Sequence, residues 1–253
     1  MKRLTIIAGA FLLGVAVMLG VLQPWNRTPK PAIPLLAPPS KPNHLELVER
    51  MIDEGRFDDA HAEIQSEFQT AWPDARAWAL AGLIAIRTAD VKRAQEHLAQ
   101  AAKVDPDLFE IPLFQGHLEM LLADRSAARR SYTEALKRRP GDAKALAGRA
   151  AARFELGEHA GAVEDATSAI AKEPDALFTR AAAYGALKRS EDAIRDWTAY
   201  LAKRPNDSHA WMNRGNEHGR MGNKAAAVAD WNQAINLNPK LKEQLEPLIE
   251  ASR

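Results

Sequence analysis

The chain contains no cysteine. This absence excludes disulfide bonds, catalysis by a thiolate, and zinc or iron–sulfur sites that use cysteine ligands. It also excludes anchoring through a lipidated cysteine, so any attachment to a membrane has to come from the polypeptide itself.

The sequence motifs of several large enzyme classes are missing as well. The seven histidines form no His-Glu-x-x-His run and no i,i+4 pair. There is no Walker loop, no dinucleotide-binding glycine fingerprint and no nucleophile elbow. We therefore predict that the protein is not an enzyme and has no catalytic, cofactor-binding or metal-binding residues.

The positive charge that nucleic-acid binding requires is confined to the start of the chain. Residues 1–43 carry five basic side chains and no acidic one, whereas the remaining residues carry 29 basic and 33 acidic side chains. Since a mildly acidic domain is a poor partner for a phosphate backbone, we predict no nucleic-acid partner. One later segment, residues 125–139, is rich in arginine and lysine. We interpret it as a solvated outer helix face, with docking to anionic lipid or to an acidic partner as the alternative.

One long apolar run occurs near the start, at residues 4–22. It has 19 residues and no charge, and as a helix it would measure about 29 Å, close to the hydrocarbon thickness of a bilayer. We predict a transmembrane signal-anchor helix over residues 1–23. A cleaved secretory signal is the alternative, although the run is longer than the usual apolar core and no small-x-small cleavage site lies at its exit.

Lys2 and Arg3 favour a cytoplasmic N-terminus. The predicted location is therefore a bacterial inner membrane, crossed once, with the rest of the chain in the periplasm. A position on the cytoplasmic face, or secretion after cleavage, is the alternative. Residues 24–42 hold seven of the fifteen prolines, which predicts an extended linker of up to roughly 60 Å.

From residue 41 onward the sequence repeats itself. Six prolines recur at spacings of 33, 34, 34, 31 and 34 residues: Pro73, Pro106, Pro140, Pro174, Pro205 and Pro239. A period of this length is typical of a solenoid of stacked supersecondary units. We divide residues 43–240 into six repeats, at about 41–73, 74–106, 107–140, 141–174, 175–205 and 206–239, followed by a C-terminal capping helix at 241–253.

The last copy shows the pattern most clearly: Trp211, Gly215, His218, Ala227, Trp231 and Pro239. It resembles the tetratricopeptide repeat, which places Trp, Gly, Tyr, Ala, Phe and Pro at those spacings. The resemblance extends over about 200 residues. It implies an all-α fold, a right-handed superhelical solenoid of about six helix–turn–helix repeats with a capping helix, preceded here by one transmembrane helix.

Small residues recur at matched places in the two helices of each repeat. On the first helix they are Gly82, Gly116, Ala150, Ala181 and Gly215, and on the second helix Ala94, Ala128, Ala162, Ala193 and Ala227. We predict that they face each other and allow close helix packing. Trp78, Tyr132, Trp197, Trp211 and Trp231 are then expected to fill the gaps between hairpins.

The joints between repeats carry residues that favour capping. An asparagine or aspartate follows each proline at once or after one residue: Asn43, Asp74, Asp107, Asp142, Asp175 and Asp207. We expect each to cap the next helix. Within repeats, Gly55, Gly157 and Gly222 are expected to form tight turns.

The last three repeats share a charged pair that earlier repeats lack. The pairs are Arg149 with Asp165, Arg180 with Asp196, and Arg214 with Asp230. Because both members are present or absent together, we predict an ion pair within each hairpin. A row of arginines that recognises an acidic peptide is the alternative.

The resemblance also implies that the first helices line a concave groove. Carried onto this chain, the candidate partner-binding residues are Leu83, Ile86, Leu113, Phe114, His117, Met120, Phe154 and Phe178. Such a groove is expected to bind a protein or peptide client with apolar anchors. The predicted function is a membrane-tethered protein–protein interaction module, acting as an adaptor or assembly chaperone. A structural scaffold that self-associates into a homo-oligomer is the alternative.

Overall fold

A computed structural model describes residues 42–69 and 73–252. The predicted transmembrane helix, at residues 1–23, and the predicted linker up to residue 41 lie outside the described residues. Pro42, assigned to the linker from the sequence, begins the first helix instead. None of the helices in the described ranges is long and apolar enough to cross a membrane.

The described residues form thirteen α-helices and one short 3-10 helix, with paired helices making six hairpins. The first helices of the hairpins are α1 (Pro42–Asp53), α3 (Ala75–Arg87), α5 (Glu110–Leu121), α7 (Ala143–Glu155), α9 (Ala176–Ala186) and α11 (Ser208–Arg220). The second helices are α2 (Phe57–Phe68), α4 (Val91–Val104), α6 (Arg125–Arg138), α8 (His159–Ala169), α10 (Ser190–Lys203) and α12 (Lys224–Leu237). A 3-10 turn (Pro239–Leu241) and α13 (Lys242–Ser252) follow.

The hairpins stack in chain order to form an all-helical solenoid. Each first helix packs against the first helix of the next hairpin, so α1, α3, α5, α7, α9 and α11 form one continuous inner layer. Each second helix packs against its own partner and against the first helix that follows. The right-handed sense of the solenoid stays a prediction.

A three-residue loop joins the two helices of every hairpin. Its middle residue has a left-handed backbone, with φ between 59° and 80°. Gly55, Gly157 and Gly222 occupy this position as predicted, but the other three hairpins place Ala89, Ala123 and Lys188 there. A side chain makes this conformation unfavourable by about 1–2 kcal/mol, so glycine is the residue expected at this position. A search of the sequence for glycine therefore finds only three of the six turns.

The predicted helix caps are present at three described joints and absent at two. The carboxylates of Asp74, Asp142 and Asp207 accept hydrogen bonds from backbone N–H groups in the first turn of the following helix. Asp107 is not a cap, because α5 begins only at Glu110. Asp175 stands at the cap position of α9, but its carboxylate binds Arg204 instead, with Nε–Oδ1 at 2.8 Å.

The close packing within hairpins differs from the prediction in one respect. All five second-helix alanines are fully buried, but the first-helix glycines lie closest to a larger side chain, four residues beyond the alanine. A Cβ atom on Gly116 would lie 2.6 Å from the Tyr132 ring, and one on Gly215 would lie 2.7 Å from the Trp231 ring. The glycines therefore make room for aromatic rings as well as for the opposite backbone.

Each of the three charged pairs lies within its own hairpin. Arg149, Arg180 and Arg214 bind their aspartates through two nitrogens, at N–O distances between 2.6 and 2.8 Å. The aspartates are buried. Because this contact occupies the arginine forks, the arginine row is not free to recognise an acidic peptide.

The C-terminal cap covers the last hairpin through Leu241, Leu245 and Ile249, all of which are buried. Pro247 lies inside this helix, and α13 continues through it to Ser252. Proline removes one backbone hydrogen bond in the helix, and the burial of Leu245 and Ile249 on either side offsets that loss.

Tyr132 yields a stability prediction, because its ring lies between two hairpins. A Cβ atom on Gly148, in the next hairpin, would lie 2.5 Å from Cε1 of Tyr132. We expect Gly148→Ala to destabilise the protein by about 1–3 kcal/mol through overpacking. The urea midpoint of the full chain, followed by circular dichroism, measures this. The matched control is Gly161→Ala, which meets only the flexible Arg153 side chain; equal midpoints for the two variants would contradict the packing argument.

Candidate functional site

The inner layer of the first four hairpins surrounds an open cavity of about 840 Å³, here called the central cavity. Its apolar lining comes from Leu83, Leu108, Phe109, Leu113 and Phe114. Its cationic lining comes from Arg76, Arg87, Arg139, Lys144 and Lys172, and its acidic lining from Glu49, Asp53, Asp105, Asp107, Glu110, Asp142 and Glu173. The cavity therefore has apolar surface and charges of both signs.

Three of the seven acidic groups in the central cavity, Glu49, Glu110 and Asp142, have close partners within the protein. Arg76 lies 2.8 Å from Glu49 and 3.3 Å from Glu110. Asp142 accepts from the backbone N–H of Ala145, as the cap of α7. These contacts hold the three carboxylates in place within the lining.

One ion pair in this cavity joins hairpins that are not neighbours in the stack. Nζ of Lys144, at the start of α7, lies 3.4 Å from Oδ2 of Asp53, at the end of α1. These residues are 91 positions apart, whereas every other side-chain hydrogen bond identified in the described ranges joins residues at most 35 positions apart. The pair therefore bridges the cavity from the first hairpin to the fourth.

His117 lies in the lining of the central cavity, between Phe114 and Tyr132, with ring centroids 5.9 and 5.7 Å away. Its Nδ1 atom is enclosed and has no hydrogen-bond partner among the described residues. Burial, with a further contribution from the charges of Arg87 and Lys144, lowers the pKa of His117 to about 4. The ring is therefore neutral at physiological pH.

A second, smaller cavity of about 310 Å³ lies on the same inner layer, in the last three hairpins. Phe154, Phe178 and Trp197 form its aromatic wall, and Asn213 and Asn216 of α11 face that wall. We call it the amide cavity. It combines apolar surface with polar groups that can bind a polypeptide backbone.

The asparagines of the amide cavity have donor groups available. Oδ1 of Asn216 accepts from Nε1 of Trp231 at 2.9 Å, so its NH₂ group is left for another acceptor. The side chain of Asn213 has no hydrogen bond to any described residue. Glu217 is buried beside them, where it accepts from Ser190 Oγ at 2.7 Å and pairs with Arg220.

The predicted groove residues fall into three groups. Leu83, Leu113, Phe114 and His117 line the central cavity, and Phe154 and Phe178 line the amide cavity. Ile86 and Met120 line neither of these two. Leu83, Ile86, Leu113 and Phe114 are at most 8% exposed and belong to the core, because neighbouring hairpins cover them. Their role in partner binding stays a prediction.

Sequence reasoning missed several residues of these sites. Arg87, Asp53 and Lys144 carried no pattern signal, because they come together only through the curvature of the stack. Asn213 and Asn216 lie in the clearest repeat, and their spacing of three residues on a first helix was the available signal. Within the described ranges, no set of histidine and acidic side chains is arranged to hold a metal ion.

Comparison with protein-family models decides the family. Models of the tetratricopeptide repeat match residues 75–108, 115–176 and 208–241. The chain belongs to the tetratricopeptide repeat family. The matched stretches together cover half of this tetratricopeptide repeat protein, and no curated protein sequence matches it.

Solved structures share the tetratricopeptide repeat fold at low identity. MamA from Desulfovibrio magneticus RS-1 has a TM-score of 0.59 at 17% identity, covering 68% of this chain and 98% of that one. A chain of the Cut9–Hcn1 hetero-tetramer of the APC/C has a TM-score of 0.70 at 14% identity, and the match covers 82% of this chain and 42% of that one. A tetratricopeptide repeat protein from Parabacteroides merdae has a TM-score of 0.57 at 18% identity, and the match covers 83% of this chain and 88% of that one. At these identities the likeness concerns the fold alone.

The lowered pKa of His117 predicts a pH dependence of stability. The folded state keeps His117 neutral down to about pH 4, whereas an unfolded histidine binds a proton below about pH 6.5. The unfolded state therefore binds more protons in this window, and the free energy of unfolding should fall by about 2 kcal/mol between pH 6.5 and pH 5.

The measurement is the urea midpoint of the full chain across this pH range. His117→Gln should remove most of the slope, because the titrating group is gone. The exposed His209, changed to Gln in the same way, serves as the control and should keep it. A His117→Gln variant with an unchanged slope would show that other groups cause the effect.

Proposed function

We propose that this protein is a membrane-tethered protein–protein interaction module, an adaptor or assembly chaperone that holds a polypeptide client against its inner helical layer. The observation that carries the proposal is the amide cavity, where an aromatic wall faces amide donors without protein partners. Aromatic side chains bury a client's apolar anchor, while amide groups bind its backbone. Membership of the tetratricopeptide repeat family supports a role in binding proteins.

An adaptor explains the structure better than a self-associating scaffold does. Stacking of copies end to end requires an apolar terminal face, and α13 covers that face at the C-terminal end with buried Leu245 and Ile249. The solenoid is thereby closed at this end. The inner layer, in contrast, presents cavities that no described residue fills.

The membrane tether is part of the proposal and rests on the sequence. An uncharged run of 19 residues precedes the described residues, with Lys2 and Arg3 before it. Such a segment suits a single-pass anchor with the repeats on the periplasmic side. The proline-rich residues 24–41 would then act as a spacer between bilayer and solenoid.

Client binding can be tested at Asn213, whose side chain supports no described hydrogen bond. Asn213→Ala should leave the helical content and the urea midpoint unchanged, and should reduce crosslinking to the client in native membranes about ten-fold, since it removes a backbone-binding amide. The matched control is Asn232→Ala, an exposed asparagine on the second helix α12. Identical crosslinked partners, in equal yield, for Asn213→Ala and the parent chain would refute the assignment.

The orientation in the membrane can be tested independently with a C-terminal fusion. Alkaline phosphatase placed after Arg253 should be active in a bacterial host, because the enzyme folds only where its disulfides form, outside the cytoplasm. A green fluorescent protein fusion at the same place is the reciprocal control. An inactive phosphatase fusion together with a fluorescent one would reverse the predicted topology.

A further inference from the structure

Another cavity, of about 650 Å³, opens beside the second helix α6, and we call it the basic cavity. Seven of its eleven lining residues belong to α6, and it shares no residue with the central cavity or the amide cavity. Its charged lining consists of five cations and one acid: Arg129, Arg130, Lys137, Arg138 and Arg153, with Glu134. The basic cavity is therefore strongly positive, in a chain whose net charge is only +1.

The α6 side of the basic cavity has one carboxylate for three cations. Glu134 lies 2.9 Å from Nζ of Lys137 and 3.8 Å from Nε of Arg138, so it is shared between them. Arg130 is exposed and forms no hydrogen bond or ion pair with any described residue. Three positive charges within nine residues are thus offset by a single negative one.

The same shortage of carboxylates occurs on the side formed by Arg129 and Arg153. Both arginines pair with Glu158. Arg153 also lies 2.9 Å from Asp165, but Asp165 is already bound by Arg149 at 2.7 Å. Three carboxylates therefore serve six cations around this cavity. Arginine forks that are only partly paired suit the oxygens of a phosphate group.

We propose that the basic cavity docks the solenoid onto the phosphate headgroups of an anionic lipid bilayer. An acidic polypeptide would also match the charge, but apolar residues of the same hairpin favour the bilayer. Leu121 ends α5, and Leu122 follows it in the turn that leads into α6. Their exposed fractions are 45% and 48%. Apolar side chains beside a basic helix are typical of surfaces that lie at the boundary between headgroups and acyl chains.

The length of the chain before the solenoid permits this contact. The first helix begins at Pro42, and α6 belongs to the third hairpin, two stacking intervals away. At a helix spacing of about 8–10 Å these intervals amount to about 20 Å, whereas residues 24–41 can span roughly 60 Å. This step rests on the membrane tether of the proposed function and does not depend on client binding.

The test is energy transfer between a label on α6 and a dye on the lipid headgroups. Because the chain has no cysteine, Ser126→Cys at an exposed position of α6 gives a single labelling site. The labelled full chain is reconstituted into vesicles of phosphatidylcholine, either alone or mixed with phosphatidylglycerol. Transfer should be higher on the anionic vesicles, and high salt should abolish the difference, because salt screens exposed charges.

The deciding variant combines Arg130→Gln with Lys137→Gln, two exposed cations of the basic cavity. Each basic residue near an anionic surface contributes about five-fold to binding, so this double variant should lower the docking equilibrium constant about 25-fold. Its helical content should not change. The charge-matched control, Lys203→Gln with Lys224→Gln, alters two exposed lysines of the last two hairpins and should keep docking. An equal loss in both double variants would assign the attraction to net charge and overturn the proposal.

The same vesicles distinguish this inference from the proposed function, because flotation with phosphatidylcholine vesicles tests the tether alone. A chain that floats with both lipids but shows equal transfer on both overturns headgroup docking and leaves the tether standing. A chain that floats only with anionic vesicles, and no longer does so in the deciding variant, supports docking and refutes the tether. If the chain binds polyglutamate while its transfer does not respond to phosphatidylglycerol, the proposal is overturned in favour of an acidic partner.

Discussion

The whole stack depends on how closely the two helices of each hairpin approach. That distance is set by residues with a methyl side chain or none, such as Ala128 opposite Gly116. The same glycine leaves space for the Tyr132 ring, which extends to Gly148 of the next hairpin. Packing within a hairpin and packing between hairpins are therefore parts of one contact. A repeat with loosened helix packing would also lose packing against the next repeat. The stability of each repeat therefore depends on its interfaces with the neighbouring repeats.

The two halves of the solenoid meet this constraint with different chemistry. A continuous apolar core runs from Leu45 through the first three hairpins and ends at Ala152 of the fourth. In the last three the apolar clusters are smaller, and a buried arginine–aspartate pair lies within each hairpin. Buried ion pairs add little net stability over apolar packing. Here the arginines also fix how successive hairpins stack. Arg180 donates a hydrogen bond to Thr167, and Arg214 donates one to Thr198, in each case in the preceding hairpin.

Much of this fold could be predicted from the sequence, because a repeated pattern states the same information six times. The helix pairs fall within the predicted repeat boundaries, and the ion-pair partners were identifiable from their joint presence and absence. Local departures from the repeat pattern were harder to predict. Lys188 adopts the backbone of a glycine, and Asp175 binds Arg204 in place of capping α9. At Asp175 the contact with Arg204 outweighs the preference for capping, and a single repeat considered by itself contains no sign of it.

The candidate site was predictable to a smaller extent, for a physical reason. Periodicity identifies which residues are apolar on the first helices, but it does not distinguish a side chain that faces the next hairpin from one that faces an open groove. Phe114 and Phe178 both line cavities of the inner layer, but Phe114 is buried whereas Phe178 is only half-buried. The curvature of the stack makes that difference, and curvature accumulates from small rotations at every interface.

The same accumulation gives the Asp53–Lys144 pair its importance. In a solenoid each unit contacts its neighbours, so the separation of the first and fourth hairpins follows from three interfaces taken together. A small change at each interface adds up at the cavity between them. An exposed ion pair contributes at most about 1 kcal/mol, too little to impose a curvature that the interfaces oppose. The pair is therefore a consequence of a curvature that the stacked helices already favour.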